Sequence, residues 1–245
     1  MSDASARPVA APLLILVLLT WASQLASVAV TSEQAFLSVV GPSTVALIAV
    51  TLPLAFIGLR LGPPLGLGAP LLIALLQRRP GAGAQLRSDA ILASAIGLVI
   101  GAFLWVLRLV LESGLPSELP QLGHRGVLGG LLVSISAAIG EEVWLRLGVM
   151  TSLAWLIKRV AGHAELRPAA AWTAILLAAF AFGLLHLPQL AAAGAASHAA
   201  VTATMLGNML VATAFGWLYW QRSLIAAIVA HFSVDIVLHV ATAMV

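Results

Sequence analysis

One long apolar segment, 126–157, limits what this chain can fold into. It holds about 30 residues, whereas a helix that crosses a bilayer needs ~20. Similar apolar runs precede and follow it, so the chain is 61% hydrophobic and only 9% charged, against ~25% charged residues in soluble domains. These values predict an all-α fold, a polytopic transmembrane helix bundle embedded in the lipid bilayer.

We predict seven membrane spans, or eight if a short apolar piece at 67–76 also crosses. That piece has about ten residues, which favours an interfacial or re-entrant position. The first span follows Arg7 and has features of a signal peptide, but its length favours a retained helix. The predicted spans are 12–30, 36–59, 90–111, 126–157, 168–188, 199–220 and 224–245.

The basic residues predict how the helices are oriented. With the N-terminus inside, the outer loops hold only Arg125 together with Glu33, Glu112 and Glu118, and this is a positive-inside pattern. The basic residues therefore report orientation and do not indicate nucleic-acid binding. Eleven Arg against one Lys, in an Ala-rich chain, indicate a GC-rich bacterial genome and hence the bacterial inner membrane. The predicted inner basic residues are Arg7, Arg60, Arg78, Arg79, Arg87, Lys158, Arg159, Arg167 and Arg222.

Three charges lie in the middle of the segment 126–157. The insertion free energy of an isolated charge at mid-membrane is roughly 2.5–3.5 kcal/mol unfavourable, so a charged residue there is expected to have a partner or a function. Glu142 and Arg146 are four residues apart and can pair on one helix face. Glu141 points about 100° away from Glu142 on a helix of 3.6 residues per turn. We therefore expect a structural ion pair, and Glu141 as the carboxylate available for chemistry.

Two later apolar helices carry further polar residues. His186 ends the string Phe182-Gly183-Leu184-Leu185-His186, and His231 and Asp235 share one face of the last span. Taken singly, His186 is typical of a packing residue, and His231 with Asp235 of a structural hydrogen-bonded pair. Groups on three helices can meet inside a bundle, where membrane-protein sites are built. We therefore predict that these residues converge on Glu141.

Other polar residues are expected to be structural. Asn208 is predicted to make an interhelical hydrogen bond, and His239 to have no direct role. Tyr219 belongs to an aromatic group expected at the membrane interface beside Arg222. Arg108 is expected to extend to the interface or to pair with Glu112. The chain has no cysteine, which excludes disulfides, thiolate metal ligands and thiol nucleophiles.

The three polar strings, in this order and on hydrophobic helices, resemble the CPBP family of CAAX proteases and bacteriocin-processing enzymes. The family pattern, EExxxR, FxxxH and HxxxN or a variant, reads here as Glu141-Glu142-xxx-Arg146, Phe182-xxx-His186 and His231-xxx-Asp235. The resemblance covers roughly residues 125–245. It predicts N-terminal transmembrane helices at 1–120 and a protease core at 121–245 within one continuous membrane domain.

The resemblance implies intramembrane hydrolysis of a peptide bond in a membrane-associated protein or C-terminal tail. Carried over residue by residue, Glu141 and His186 would hold and activate a water, with Glu141 as the general base. His231 and Asp235 would stabilise the oxyanion. Phe182 would pack beside the site, while Arg146 would hold the Glu142 side of its helix.

Asp235 departs from the commonest family pattern, where Asn stands. Asn can donate a hydrogen bond to an oxyanion, but an ionised Asp cannot. Asp235 is therefore protonated, or a metal ligand, or the group that orients His231. Two His with carboxylates suit Zn²⁺ with a water in an open position, so a Zn²⁺ site formed by His186, His231, Glu141 and Asp235 and a metal-free glutamate mechanism both stay open.

Two other functions remain open at this point. One is a non-catalytic membrane scaffold or immunity protein that keeps the fold. The other is a small proton-coupled transporter that uses the polar cluster as a proton relay. The presence of Glu141, His186 and His231 together favours the protease function.

Overall fold

The computed structural model describes residues 9–32 and 34–245, and within those ranges all regular structure is helical. The predictions for Arg7 and Glu33 fall outside the described residues. A π-helical segment, Glu142–Met150, joins α5 to α6, and a second, Ile236–Val240, follows α9. The α-helices are α1 (Ala10–Thr31), α2 (Phe36–Leu61), α3 (Pro70–Leu76), α4 (Ala82–Leu111), α5 (Gly126–Glu141), α6 (Thr151–Val160), α7 (Pro168–Ala192), α8 (His198–Gln221) and α9 (Leu224–Asp235).

In the part of the chain that the structure describes, seven helical stretches are long and apolar enough to cross a membrane, which confirms the predicted integral membrane fold and its number of spans. The stretch Gly126–Val160 combines α5, the first π-helical segment and α6 into one span. The short helix α3 is not among them, as its length predicted.

One buried hydrophobic cluster contains side chains from both halves of the chain, among them Leu16 and Ala55 near the start and Phe215 and Val234 near the end.

Helix α7 continues beyond its predicted end at Pro188. Proline lacks an N–H and usually ends a helix, but α7 runs on to Ala192. It ends where Gly194 takes a left-handed φ of 71°. There the amide of Gly194 donates to Ala191 O and that of Ala195 to Leu190 O, the two bonds of a Schellman cap. His186 therefore lies inside the helix and not at its end.

The predicted interfacial position of Tyr219 is wrong, because its side chain is buried at 2% exposure. Its hydroxyl accepts from the amide of Gly68 at 2.8 Å and lies 2.7 Å from the Thr151 hydroxyl. Thr151 in turn donates to the carbonyl of Arg146 at 3.1 Å. Because the carbonyl only accepts, Tyr219 donates to Thr151. This chain of bonds ties the α2–α3 connection to the π-helical segment.

Helices α4 and α9 pack closely and run parallel. A Cβ on Gly97 would meet the backbone of Ala230 and the Ser233 side chain, and one on Gly101 would meet Val237 and the carbonyl of Val234. Small residues of this kind let two membrane helices approach to backbone contact. The contacts also set the register, since Gly101 of α4 lies level with the turn of α9 that carries Asp235.

Candidate active site

Two adjacent glutamates leave the junction of α5 and the π-helical segment in different directions. The Glu142 side chain is fully buried, whereas the Glu141 side chain is 26% exposed. Wider π-helical turns are frequent at functional sites, because they shift side chains out of α-helical register. One carboxylate therefore faces protein and the other faces a cavity.

Glu142 contacts two groups from different parts of the chain. Its Oε1 atom lies 3.1 Å from Arg146 Nη1, which forms the predicted ion pair, and accepts a hydrogen bond from His231 Nδ1 at 2.8 Å. Arg146 Nη2 donates to the Ala212 carbonyl at 3.1 Å. Glu142 therefore does more than neutralise an arginine, because it also orients the histidine of α9.

Two aromatic rings hold the charged groups in place. The Arg146 guanidinium lies over the rings of Phe182 and Phe215, at 5.0 and 5.4 Å from their centroids. His231 stacks on Phe215 at 4.8 Å, and Phe182 packs against His186 at 4.7 Å. Cation–π and stacking contacts of this kind stabilise a desolvated cation and fix ring orientation. The Phe182 ring also faces His231 edge to face, with ring centroids 6.0 Å apart.

The Nε2 atom of His231 faces two carboxylates. It lies 3.6 Å from Asp235 Oδ2 and 3.8 Å from Glu141 Oε2. The Nδ1–H is committed to Glu142, so Nε2 is the nitrogen that faces the cavity. These separations are too short for a water between the atoms, but a water or a substrate oxygen in the cavity can contact Nε2 and a carboxylate together.

His186 uses one of its two ring nitrogens for a hydrogen bond within its own helix. Its Nδ1 lies 2.8 Å from the carbonyl of Phe182, one turn earlier in α7. Because a carbonyl only accepts, Nδ1 donates and a neutral ring keeps the lone pair on Nε2. That nitrogen can accept a proton or a hydrogen bond from a water.

Glu141, His186, His231 and Asp235 all line one central cavity of about 430 Å³, bounded by α4, α5, α7, α8 and α9. A second, lateral pocket of about 630 Å³ lies between α2, the first π-helical segment and α7, with a mostly apolar lining. Four residues line both spaces: Glu141, Phe182, His186 and Gln189. A volume of this size holds a small ligand or a few peptide residues.

The same residues do not form a metal centre. Among residues 9–32 and 34–245, no group of three or more His, Asp or Glu side chains is arranged to hold a metal ion. This arrangement of side chains therefore gives no Zn²⁺ site within those residues, and no step is derived through a metal.

Several features of the site were not predicted from the sequence. The bond between His231 and Glu142 joins residues 89 positions apart, which no local spacing can indicate. No polar motif lies next to Phe215 in the sequence, so no pattern indicated that it belongs to the site. Asn208 was expected to bond another helix, but it donates to Thr204 of its own helix and lines the central cavity. His239 also lines that cavity.

A comparison with protein families finds a match in the C-terminal half of the chain. Residues 123–237 match the family described as type II CAAX prenyl endopeptidase Rce1-like. The match contains the three polar strings and confirms the resemblance that they predicted. No curated protein and no solved structure matches the chain.

Proposed function

Because residues 123–237 match the Rce1-like family of CAAX-type intramembrane proteases, we propose that this chain hydrolyses a peptide bond near the C-terminus of a membrane-associated protein, using a water activated by Glu141. The observation that carries this proposal is the meeting of Glu141, His186, His231 and Asp235 at one cavity inside an apolar bundle. Ionisable groups at membrane depth are costly and mark functional sites.

The first step forms the tetrahedral intermediate. A water held between the Glu141 carboxylate and His186 Nε2 gives a proton to Glu141 as its oxygen attacks the scissile carbonyl carbon. The carbonyl oxygen becomes an oxyanion beside His231 Nε2 and Asp235. In the second step the C–N bond breaks, and the proton held by Glu141 passes to the leaving amine. One water is consumed, and an acid and an amine are released.

The oxyanion needs donors, and the charges around His231 indicate where the protons lie. Glu141, Glu142 and Asp235 face this ring, while Arg146 is the one fixed cation in contact with the group within the described chain. Several uncompensated carboxylates in a desolvated site are unfavourable. We propose that Asp235 is protonated and that His231, whose Nδ1–H already bonds Glu142, is an imidazolium. The Asp235 O–H and the His231 Nε2–H then both donate to the oxyanion.

This proton assignment predicts that Asp235→Asn keeps peptide hydrolysis within about tenfold of the unsubstituted protein, because an amide keeps an N–H donor. Asp235→Ala should lower the rate by about 10²–10³-fold, as loss of an oxyanion donor does. Ser233→Ala is the control on the same helix, since Ser233 donates to Val229 within α9. Initial rates in proteoliposomes measure the effect; equal losses for the Asn and Ala variants would assign Asp235 an ionised role.

A metal-free route predicts that chelation leaves activity unchanged. Protein purified in excess EDTA should hold much less than one zinc per chain by elemental analysis and should hydrolyse substrate at the untreated rate. The expectation follows from the arrangement of the histidines and carboxylates, which, in the described part of the chain, does not form a metal centre. Activity that disappears on chelation and returns with added Zn²⁺ would contradict it.

The proposed context is a bacterial inner membrane with the N-terminus inside. The nine inner basic residues against Arg125 outside support that orientation. We also propose that residues 1–120 and 121–245 act as one membrane domain, because their buried side chains share a core.

The proposed activity is tested by identifying cleaved C-termini. Cells that carry either the unsubstituted chain or Glu141→Gln are compared by enrichment and mass spectrometry of the C-terminal peptides of membrane proteins. Proteins with new, shorter C-termini only in the unsubstituted strain support the proposal. Identical C-termini in both strains would overturn it.

A further inference from the structure

A separate pocket of about 420 Å³ lies at the end of α6, against the α2–α3 connection. It shares no residue with the central cavity or the lateral pocket. Beside Trp155 and Pro64, its lining includes three groups that can carry a positive charge: Lys158, Arg159 and His163. The described residues that line it include no carboxylate, so the charge of the pocket favours an anion.

The way in which α6 ends leaves these basic side chains available. The amide of Gly162, which has a left-handed φ of 66°, donates to Arg159 O, and the amide of His163 donates to Lys158 O. These are the two bonds of a Schellman cap. Basic side chains in the last turn of a helix commonly compensate its terminal carbonyls, but here backbone amides already bond the carbonyls of Lys158 and Arg159. The cap also turns the chain back, so that Gly162 and His163 line the pocket.

The two cations at the end of α6 have few partners in the part of the chain that the structure describes. There, Lys158 Nζ makes one hydrogen bond, to the carbonyl of Pro64 at 3.4 Å, and neither Lys158 nor Arg159 forms an ion pair. Lysine and arginine carry a positive charge at neutral pH. They follow Trp155 by three and four residues, so the three side chains share one face of α6. That face presents N–H donors that match the oxygens of a phosphate.

The pocket lies at the end of the bundle where basic residues collect. Consecutive spans cross in opposite directions, so the connections after the second, fourth and sixth spans meet at one end. The bond between Lys158 and Pro64 joins two of these connections directly. The described basic residues of the predicted inner loops all lie there, whereas the described acidic residues at that end are Glu165 and Asp89, which is buried and accepts from Ser223. A positive end of this kind attracts the anionic headgroups of a membrane leaflet.

Apolar side chains beside the pocket indicate that the anion belongs to a lipid. Trp155 is 38% exposed and Leu156 is 51% exposed, and both lie on the membrane side of Lys158 in α6. Tryptophan is typical of the headgroup level of a bilayer. An acyl chain would bury these two side chains, whereas a soluble anion would leave them exposed.

We infer that this pocket binds the headgroup of an anionic phospholipid. The Arg159 guanidinium and the Lys158 ammonium bond the phosphate oxygens, and an acyl chain covers Trp155 and Leu156. Because Lys158 also bonds Pro64, the lipid fastens α6 to the α2–α3 connection and stabilises the folded protein. The inference goes beyond the proposed hydrolysis and does not depend on it, since the pocket contains none of the residues proposed for catalysis.

The test measures lipid binding to the full-length, delipidated protein in a non-ionic detergent by native mass spectrometry. The probes are phosphatidylglycerol, which is anionic, and phosphatidylcholine, which carries the same phosphate but no net charge. Glycerol phosphate is the soluble anion without acyl chains. The three probes separate an anionic lipid from any phospholipid and from a free phosphate ester.

We expect phosphatidylglycerol to bind at least about tenfold more tightly than phosphatidylcholine, since two basic residues attract an anionic headgroup by a factor of this size. Lys158→Gln with Arg159→Gln should reduce that preference to below about threefold. Arg78→Gln with Arg79→Gln is the matched control, because it removes the same charge from exposed positions at the same end but outside the pocket. It should keep the preference. Phosphatidylglycerol should also raise the thermal unfolding midpoint of the unsubstituted protein and of the control, but not that of the pocket variant.

Photo-crosslinking locates the lipid on the unsubstituted protein and so does not depend on the folding of a variant. Phosphatidylglycerol with a diazirine in its headgroup should label residues 155–164, as mapped by peptide mass spectrometry. Labelling confined to other segments would overturn the inference, as would equal binding of the two phospholipids. Equal losses in the two double variants would assign the attraction to the general charge of that end and reject the pocket. Glycerol phosphate that binds as tightly as phosphatidylglycerol would overturn the assignment to a lipid.

Discussion

Glu141→Gln is expected to lower peptide hydrolysis by about 10³–10⁴-fold, because glutamine has the size of glutamate but cannot take a proton from water. The substituted side chain is partly exposed to the cavity and, within the described chain, contributes to no ion pair of the core other than the 3.8 Å approach to His231. The fold should therefore survive. The measurement is a single-turnover rate in proteoliposomes, together with the thermal unfolding midpoint of the same preparation.

The control for this prediction is Glu165→Gln, which removes an exposed carboxylate from the connection between α6 and α7. It should leave both the rate and the unfolding midpoint unchanged. If the Glu141→Gln protein processed substrate at the original rate, the protease proposal would be wrong. A non-catalytic scaffold would then be favoured, or a transporter if proton flux through the protein depended on Glu141.

Local spacing predicted those parts of the protein that depend on neighbours in sequence. The seven spans followed from hydropathy and length, and the ion pair between Glu142 and Arg146 followed from their separation of four residues. That pair persists although the segment from Glu142 onward is π-helical and not α-helical. The spacing of the residues did not indicate the π-helical geometry, and the contact between Tyr219 and Thr151, the residue that follows the segment, joins positions far apart in the chain.

The depth of His186 shows a different limit. Pro188 indicates a helix end by its missing N–H, and the predicted span 168–188 therefore placed His186 near the end of its helix. The actual end is set by Gly194, whose left-handed conformation closes a Schellman cap. The extended α7 lets His186 line the same cavity as Glu141. A proline rule derived from soluble helices is weaker in membranes, where neighbouring groups satisfy the freed carbonyl.

The assignment of Glu142 as a purely structural partner of Arg146 is incomplete for a similar reason. The three polar strings belong to one site, but their spacing does not say which carboxylate meets which histidine. In the structure Glu142 holds His231 by Nδ1 and so aims Nε2 at Glu141 and Asp235. The buried ion pair and the reacting groups are therefore one connected network, and a change in the pair should affect catalysis.

Arg146→Met tests that connection and is expected to destabilise the protein strongly. Removing one partner of a buried ion pair costs about 3–5 kcal/mol, because the other charge stays buried without compensation. Arg146 is 1% exposed and Glu142 is fully buried. The unfolding midpoint in detergent should fall markedly, and hydrolysis should fall with it, because Glu142 loses its cation and its hold on His231 is disturbed.

The double substitution Glu142→Gln with Arg146→Met distinguishes an ion-pair effect from a packing effect. Neutralising both partners removes the uncompensated charge, and such replacements are often close to neutral for stability. The amide carbonyl that replaces the Glu142 carboxylate can still accept from His231 Nδ1, so hydrolysis should recover together with the unfolding midpoint. Losses that simply add in the double variant would show that the Arg146 side chain acts through its contacts with Phe182 and Phe215, and that charge balance at Glu142 does not position His231.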